Sequence, residues 1–304
     1  MNTNNFYNDL AVDINRLHAE IDKKLINAKK RRVSVSMGIV RFLAIKVLVK
    51  IGIFERLVDA GIIRGWFEIF KSYWLIELAG RPISIHDFYF LLCSYRVKFR
   101  DIEVAESSNS KEFCYAWQRP ENLYSTFNAV YKNALNPTLA YGYLKYIRKG
   151  SVVLEYGCGL APITHSFIKY FSYKNLDFSA ADIKGFPFHY AKYYLEGQGV
   201  KYYNIEPYSP VKFNNKFDVI FLITVLEHLP NPDEVVTQLT NVLERGGILF
   251  FDYCKSNGTG LDTKESVLKR KIVLDYIVEN YKLIKGKISF DRDIGLTIAS
   301  KKGE

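Results

Sequence analysis

Residues 151–162, Ser-Val-Val-Leu-Glu-Tyr-Gly-Cys-Gly-Leu-Ala-Pro, constrain the fold more than any other stretch. Val152, Val153 and Leu154 form the short apolar run that a buried parallel strand needs. Gly157 and Gly159 follow, and Pro162 opens a helix-spaced apolar stretch containing Ile163, Phe167 and Ile168. The pattern predicts strand, glycine turn, helix. Glycines at the carboxyl end of a strand let the backbone approach a ligand closely. The helix N-terminus beyond them offers free N–H groups and a partial positive charge. A dinucleotide fingerprint would place a third glycine where Pro162 stands. Glu155 at the strand tip would also repel a pyrophosphate, whereas it suits a cationic ligand carrying an amino group.

Downstream, the pattern continues as alternating strands and helices. A second strand, 177–183, ends at Asp182, a little over twenty residues past the glycines. An acidic side chain there can accept hydrogen bonds from both ribose hydroxyls of an adenosine ligand. A helix near 187–197 and a strand over 200–205 follow, and the stretch 207–215, with two prolines, leaves the next helix missing or reduced to a turn. Phe217–Ile223 reads as a fourth strand running into Thr224-Val225-Leu226-Glu227-His228-Leu229-Pro230. Asn231, Pro232 and Glu234 then form a capped helix start. Val235, Val236, Leu239, Val242 and Leu243 give that helix one apolar face. Gly246-Gly247 stops it ahead of a fifth strand, Ile248–Tyr253. Asp262 and Glu265 suggest a second capping box, before a helix over 263–280 with Leu268, Ile272, Tyr276 and Ile277 on one side. Two closing strands, 281–290 and 294–300, are joined by Asp-Arg-Asp.

Val-Leu-Glu-Tyr-Gly-Cys-Gly resembles the first motif of class I S-adenosylmethionine-dependent methyltransferases. The block of strand, Leu-Glu-His-Leu-Pro, helix, Gly-Gly and strand is similar to the small-molecule members of that class. The resemblance covers roughly the C-terminal half of the chain. It implies an α/β fold with a doubly wound, mostly parallel seven-stranded sheet, one strand antiparallel, preceded here by a helical N-terminal region. It implies S-adenosylmethionine as cofactor, with contacts from Glu155, Tyr156, Gly157, Cys158 and Gly159, from Asp182 and Ile183, from Ile205 and Glu206 beside the adenine, and from Ile223 and Thr224. Trp117, Tyr124 and Tyr131 become candidates for a lid over the donor, or equally for core packing.

Methyl transfer from a sulfonium asks the protein mainly to align two reactants and hold a cation. That fits a chain without a catalytic triad or metal-ligand cluster in its sequence. An oxygen or nitrogen acceptor must still lose a proton. His228, just past the fourth strand, is the candidate general base, the other reading being that it orients the loop with Glu227. Metal-assisted relatives carry a carboxylate three residues before the glutamate; Thr224 stands there, so no metal is expected. The fourth strand is not followed by Asn-Pro-Pro-Tyr or Asp-Pro-Pro-Tyr, which argues against methylation of a nucleobase amine.

The N-terminal part is expected to be a separate helical region, residues 1–111, with the methyltransferase domain over 112–304 and a linker near 105–111. Leu10, Ile14, Leu17, Ile21 and Leu25 give 6–32 a helical period ending in a basic cluster. Residues 33–79 are strongly apolar, but Arg41, Lys46 and Lys50 interrupt any membrane span. Helices near 37–50, 53–60 and 64–78 could pack on one another. Alternatively, Phe42, Trp66, Phe67, Phe70 and Trp74 among basic residues could lie on a membrane surface. The formal net charge of +10 favours anionic partners, whether nucleic acid, a phosphorylated glycan or an acidic lipid face, unless it only reflects compositional bias. The four cysteines form no Cys-x-x-Cys pair, and the N-terminus is polar, so a reduced, cytoplasmic protein is expected, with contact to the inner membrane face an added option. The expected function is methylation of a small or carrier-linked acceptor, such as a sugar or lipid-linked glycan, on oxygen ahead of nitrogen. A nucleic-acid methyltransferase and a catalytically silent, donor- or partner-binding domain are the alternatives.

Overall fold

The structure is a computed structural model that describes residues 47, 51, 53, 66–79, 82–83, 88, 123–135, 138–206, 208–255 and 262–303. The expectations for 6–32, 37–46, 54–60, the linker 105–111 and Trp117 lie outside these residues, as do the side chains of Tyr124 and Tyr131. The chain divides into two units: Met1–Asp101 with Gln118–Pro137, and Ile102–Trp117 with Thr138–Glu304.

In the first unit, helix α1 (Trp66–Tyr73) continues into a π-helical segment, Trp74–Ala79, and helix α2 spans Leu123–Leu135. Phe70, Phe88 and Phe127 meet with ring centroids 4.9–5.2 Å apart, and Trp74 lies 5.8 Å from Phe127. Such tilted and edge-on pairs add to the stabilisation from area burial. Phe67, Phe70 and Trp74 are buried. These three rings are therefore core, and a membrane-facing role for them is not what the fold provides. Among the described residues, no helix is long and apolar enough to cross a membrane.

The second unit is built on one seven-stranded sheet: β1 Val152–Tyr156, β2 Asp177–Asp182, β3 Lys201–Asn204, β4 Phe217–Leu222, β5 Leu243–Tyr253, β6 Tyr281–Lys285 and β7 Ile294–Lys301. Their order is β3-β2-β1-β4-β5-β7-β6. Strands β3 to β5 pair in parallel, and β7 runs antiparallel between β5 and β6. The expected architecture is present, antiparallel strand included. Helices α3 (Pro162–Tyr170), α4 (Phe186–Tyr194), α5 (Pro232–Val242) and α6 (Lys264–Asn280) connect the strands. Phe221 and Phe250 stack at 4.6 Å on one face of the sheet, with Tyr143 edge-on to both. Leu222, Leu239, Val273 and Ile277 belong to the core on the other face. The sheet order reverses between β1 and β4, and ligands of open α/β sheets bind outside the strand tips at that switch point.

Two local expectations are corrected. Helix α6 buries Ser266, Arg270, Val273, Leu274 and Ile277, while Leu268 is 79% exposed and Ile272 57% exposed. Apolar residues occupy both sides of this helix, so spacing alone did not choose the inner face. Its N-cap is Thr263, whose Oγ1 accepts the Ser266 N–H at 3.1 Å and donates to the Leu229 carbonyl at 2.6 Å. The Asp262–Glu265 box is thus displaced by one residue, and Asp262 is released for another partner.

Arg270 is buried, and its guanidinium donates to the carbonyls of Tyr253, Cys254, Ser289, Phe290 and Arg292 at 2.7–3.3 Å while lying over the Tyr253 ring. One side chain thereby ties α6 to the end of β5 and to the β6–β7 connection. Arg270→Ala should destabilise the protein by about 2 kcal/mol, because the buried Tyr253 carbonyl and four part-buried ones lose a charged donor. Denaturant unfolding checks this; a change below about 1 kcal/mol would contradict the clamp.

Candidate active site

The glycine turn after β1 is built by its neighbours. The N–H groups of Gly157 and Cys158 both donate to the Ala181 carbonyl, at 2.7 and 3.1 Å. Gly157 (φ +64°) and Gly159 (φ +52°) are left-handed, a conformation that L side chains rarely adopt. A Cβ on Gly157 would run into Val225, with Cγ1 at 2.8 Å. At Gly159 the nearest atom to an added Cβ is Pro187 Cβ at 4.0 Å, so that position faces open space. The turn is closed on one side by the loop after β4 and open at its second glycine.

Asp182 ends β2 beside this turn. Its Oδ2 accepts the Gly159 N–H at 2.5 Å and its Oδ1 the Ile183 N–H at 2.7 Å. Burial pushes its pKa up to about 6, against the two backbone donors and His228, which lower it. Glu155 has another set of partners than the expected ligand ammonium. Its carboxylate accepts the N–H groups of Ile163 and Thr164 and the Thr164 hydroxyl, at 2.7–3.2 Å. It caps α3 from within, where the helix N-terminus favours negative charge, although burial raises its pKa to about 7. Ala161, at φ +49°, stands at the N-cap position and offers no side-chain acceptor; Glu155 supplies it from β1. Cys158 is also turned inward, packed among Ala161, Ala180, Phe188 and Ala191.

A cavity of about 250 Å³ opens at the tips of β1, β2 and β3. Tyr156, Ile183, Ile205 and Glu206 line it, so four of the expected contact residues meet at one place. Leu229, Asn231, Val235 and Gln238 complete it from the β4–α5 side. These four were not identified from the sequence; the Asn-Pro helix start was the available signal, since a helix that begins there must lie over the strand tips. Asn231 does not cap its helix; its Nδ2 donates to Glu234 Oε2 at 2.8 Å.

The tip of β4 is strained. Thr224 has φ +56°, an outlier for a β-branched residue. Asp252 at the end of β5 holds it, its Oδ1 accepting the Thr224 N–H at 2.5 Å. Ile223 is half-buried and Thr224 exposed. The chain then enters a 3₁₀ turn, Leu226–His228. His228 Nδ1 lies 2.9 Å from Asp262 Oδ1, and its side chain is 25% exposed. The sequence pointed to His228; it did not point to Asp252 or Asp262, which reach the site only through the ends of β5 and α6. Among the described residues no group of His, Cys, Asp and Glu has the geometry to hold a metal ion.

Residues 130–281, half of the chain, match the family model of methyltransferase domains. The chain belongs to this family and is an S-adenosylmethionine-dependent methyltransferase. No curated protein matches it. Among solved structures it is similar to a methyltransferase from Pyrococcus furiosus, at 20% identity and TM-score 0.40, over 56% of this chain and 84% of that one. It is similar to a protein from Pyrococcus horikoshii at 15% identity and TM-score 0.42, over 57% and 92%. It is also similar to the N-methyltransferase NodS from Bradyrhizobium japonicum, solved with S-adenosyl-L-homocysteine, at 16% identity and TM-score 0.37, over 50% and 79%.

The residues present fit the donor. The open side of Gly159 leaves room for close backbone approach. The cavity is lined by Ile183, Ile205, Leu229 and Val235 together with Glu206, Asn231 and Gln238, a mixture of apolar surface and a few polar groups that suits an adenine. Asp182 stands between the two, acidic and suited to a hydroxylated, positively charged ligand.

Proposed function

We propose that this chain methylates an oxygen of a small or carrier-linked acceptor, such as a sugar or lipid-linked glycan, with His228 as general base. The observation that carries the reading is the His228–Asp262 pair, 2.9 Å apart, just past the tip of β4 and beside the donor crevice. Asp262 holds the imidazole through Nδ1, which orients Nε2 for a proton. When bound, the donor supplies an electrophilic methyl group. The glycine turn and Asp182 hold and orient it, and the side chains lining the cavity exclude water from the adenine. As the acceptor oxygen forms its bond to the methyl carbon, its proton passes to His228 Nε2. The electron pair of the broken carbon–sulfur bond stays on sulfur, so the products are a methyl ether, S-adenosylhomocysteine and an imidazolium.

Phosphate-rich acceptors fit this centre poorly, because Asp182, Glu227, Asp252 and Asp262 gather around His228 and would repel them. The positive net charge of the chain therefore does not arise at the point of transfer. Incubation with methyl-labelled donor and a panel of hydroxylated and amino acceptors tests the proposal. Label recovered in a methyl ether is the expected outcome. Label found only in N-methyl products, or only in nucleic acid, overturns it.

A further inference from the structure

Beneath His228 lies a carboxylate that the steps above do not use. Glu227 sits in the 3₁₀ turn after β4, is 3% exposed, and its Oε2 has no hydrogen-bond partner. The neighbouring carboxylates are engaged: Asp182 with Gly159 and Ile183, Asp252 with Thr224, Asp262 with His228. An unanswered buried carboxylate oxygen is costly and calls for an explanation. Glu227 holds α6 through its backbone carbonyl, which accepts the Thr263 N–H at 3.0 Å, and its carboxylate lies beside the Cys254 thiol. Its other oxygen, Oε1, is 4.0 Å from His228 Nε2, the atom that takes the proton. The His228 side chain is a quarter exposed, so a molecule bound at Nε2 would lie within about one hydrogen-bonding group of this carboxylate.

We propose that Glu227 is an acceptor-binding residue whose carboxylate receives a hydrogen bond from a donor group adjacent to the atom that His228 deprotonates, so that the acceptor is a vicinal diol. This rests on the reading of His228 as the base. A hydroxyl hydrogen-bonded to Nε2 has, on the next carbon, a second hydroxyl close enough to reach toward Oε1, which lies 4.0 Å from Nε2. The second hydroxyl supplies a donor to the carboxylate, whose Oε2 has none. The surrounding carboxylates disfavour an anionic group at that place and favour neutral donors. Sugar rings and catechols both carry this chemistry.

The test uses the full-length chain, methyl-labelled donor, and two matched pairs of acceptors: methyl α-mannoside with its 2,4-dideoxy analogue, which has no adjacent hydroxyls, and catechol with phenol. Wild type is expected to prefer the diol of at least one pair by about tenfold to a hundredfold in kcat/KM, the effect of one hydrogen bond to a charged group. The mannoside arm then identifies the source as a sugar and the catechol arm as an aromatic diol. Glu227→Gln should reduce that preference to about threefold or less, while donor affinity measured by calorimetry stays within about twofold of wild type, showing an intact fold. An unchanged preference in Glu227→Gln overturns the inference and leaves the methyl-transfer reading standing. So does transfer to single-hydroxyl acceptors as fast as to diols. Donor binding with no transfer to any acceptor sinks the methyl-transfer reading itself, and the inference with it.

Discussion

Gly157→Ala should abolish donor binding and lower stability by about 2 kcal/mol or more. Two costs combine. A left-handed backbone costs an L-residue roughly 1 kcal/mol more than glycine. The added Cβ would also overlap Val225, which is buried and fixed by the strained turn at Thr224. Overpacking of this kind costs about 1–3 kcal/mol, and relief can come only by moving the glycine turn or the loop after β4. Both shape the donor crevice. Gly159→Ala is the control. Its Cβ meets nothing closer than 4.0 Å, so only the backbone cost of about 1 kcal/mol applies. That variant should stay folded yet bind donor weakly, because the methyl group would occupy the open side of the turn. Thermal unfolding with calorimetric titration separates the two. Equal donor affinity in Gly159→Ala and wild type would show that the donor does not lie against this turn.

His228→Ala should lower kcat by about a hundredfold to ten-thousandfold, the usual contribution of a positioned general base, with donor affinity unchanged. Asp262→Asn should have a smaller effect in the same direction. It keeps the size of the side chain but takes away the carboxylate that fixes the Nδ1 proton, so Nε2 becomes a poorer base. Single-turnover rates with saturating donor measure both. A His228→Ala rate within about threefold of wild type would assign the proton to another group or to water.

The parallel part of the fold was legible because buried strands and glycine turns leave strong local marks. Val152–Leu154 with Gly157 and Gly159, Asp182 at a strand end, and Phe217–Leu222 all stand as the sequence pattern required. The seven-stranded sheet with one antiparallel strand followed from resemblance and not from any local mark, and no single residue says that β7 inserts between β5 and β6. Side-chain direction was less legible. The carboxylate of Glu155 could face a ligand or the following helix, and the structure turns it to the N-H groups of Ile163 and Thr164. Sequence spacing cannot tell these apart, since both partners lie within reach of the same strand tip. The inner face of α6 was misassigned because Leu268 and Ile272 satisfy a helical period as well as Val273 and Ile277 do. Asp252 and Asp262 were missed because their importance depends on which strand ends meet, a tertiary fact. In the first unit, Phe67, Phe70 and Trp74 carried two readings, and their burial with Phe88 and Phe127 selects packing.

The central claim is that the strand tips around the glycine turn and Asp182 hold the donor. Calorimetric titration of wild type and Asp182→Ala with S-adenosylmethionine and S-adenosylhomocysteine tests it most directly. Wild type should bind both, with Kd on the order of 1 µM. Asp182→Ala should weaken both by about a hundredfold, because two hydrogen bonds to a charged acceptor are lost, while its unfolding transition remains cooperative. Binding of neither ligand by wild type, or equal binding by a folded Asp182→Ala variant, would contradict the account.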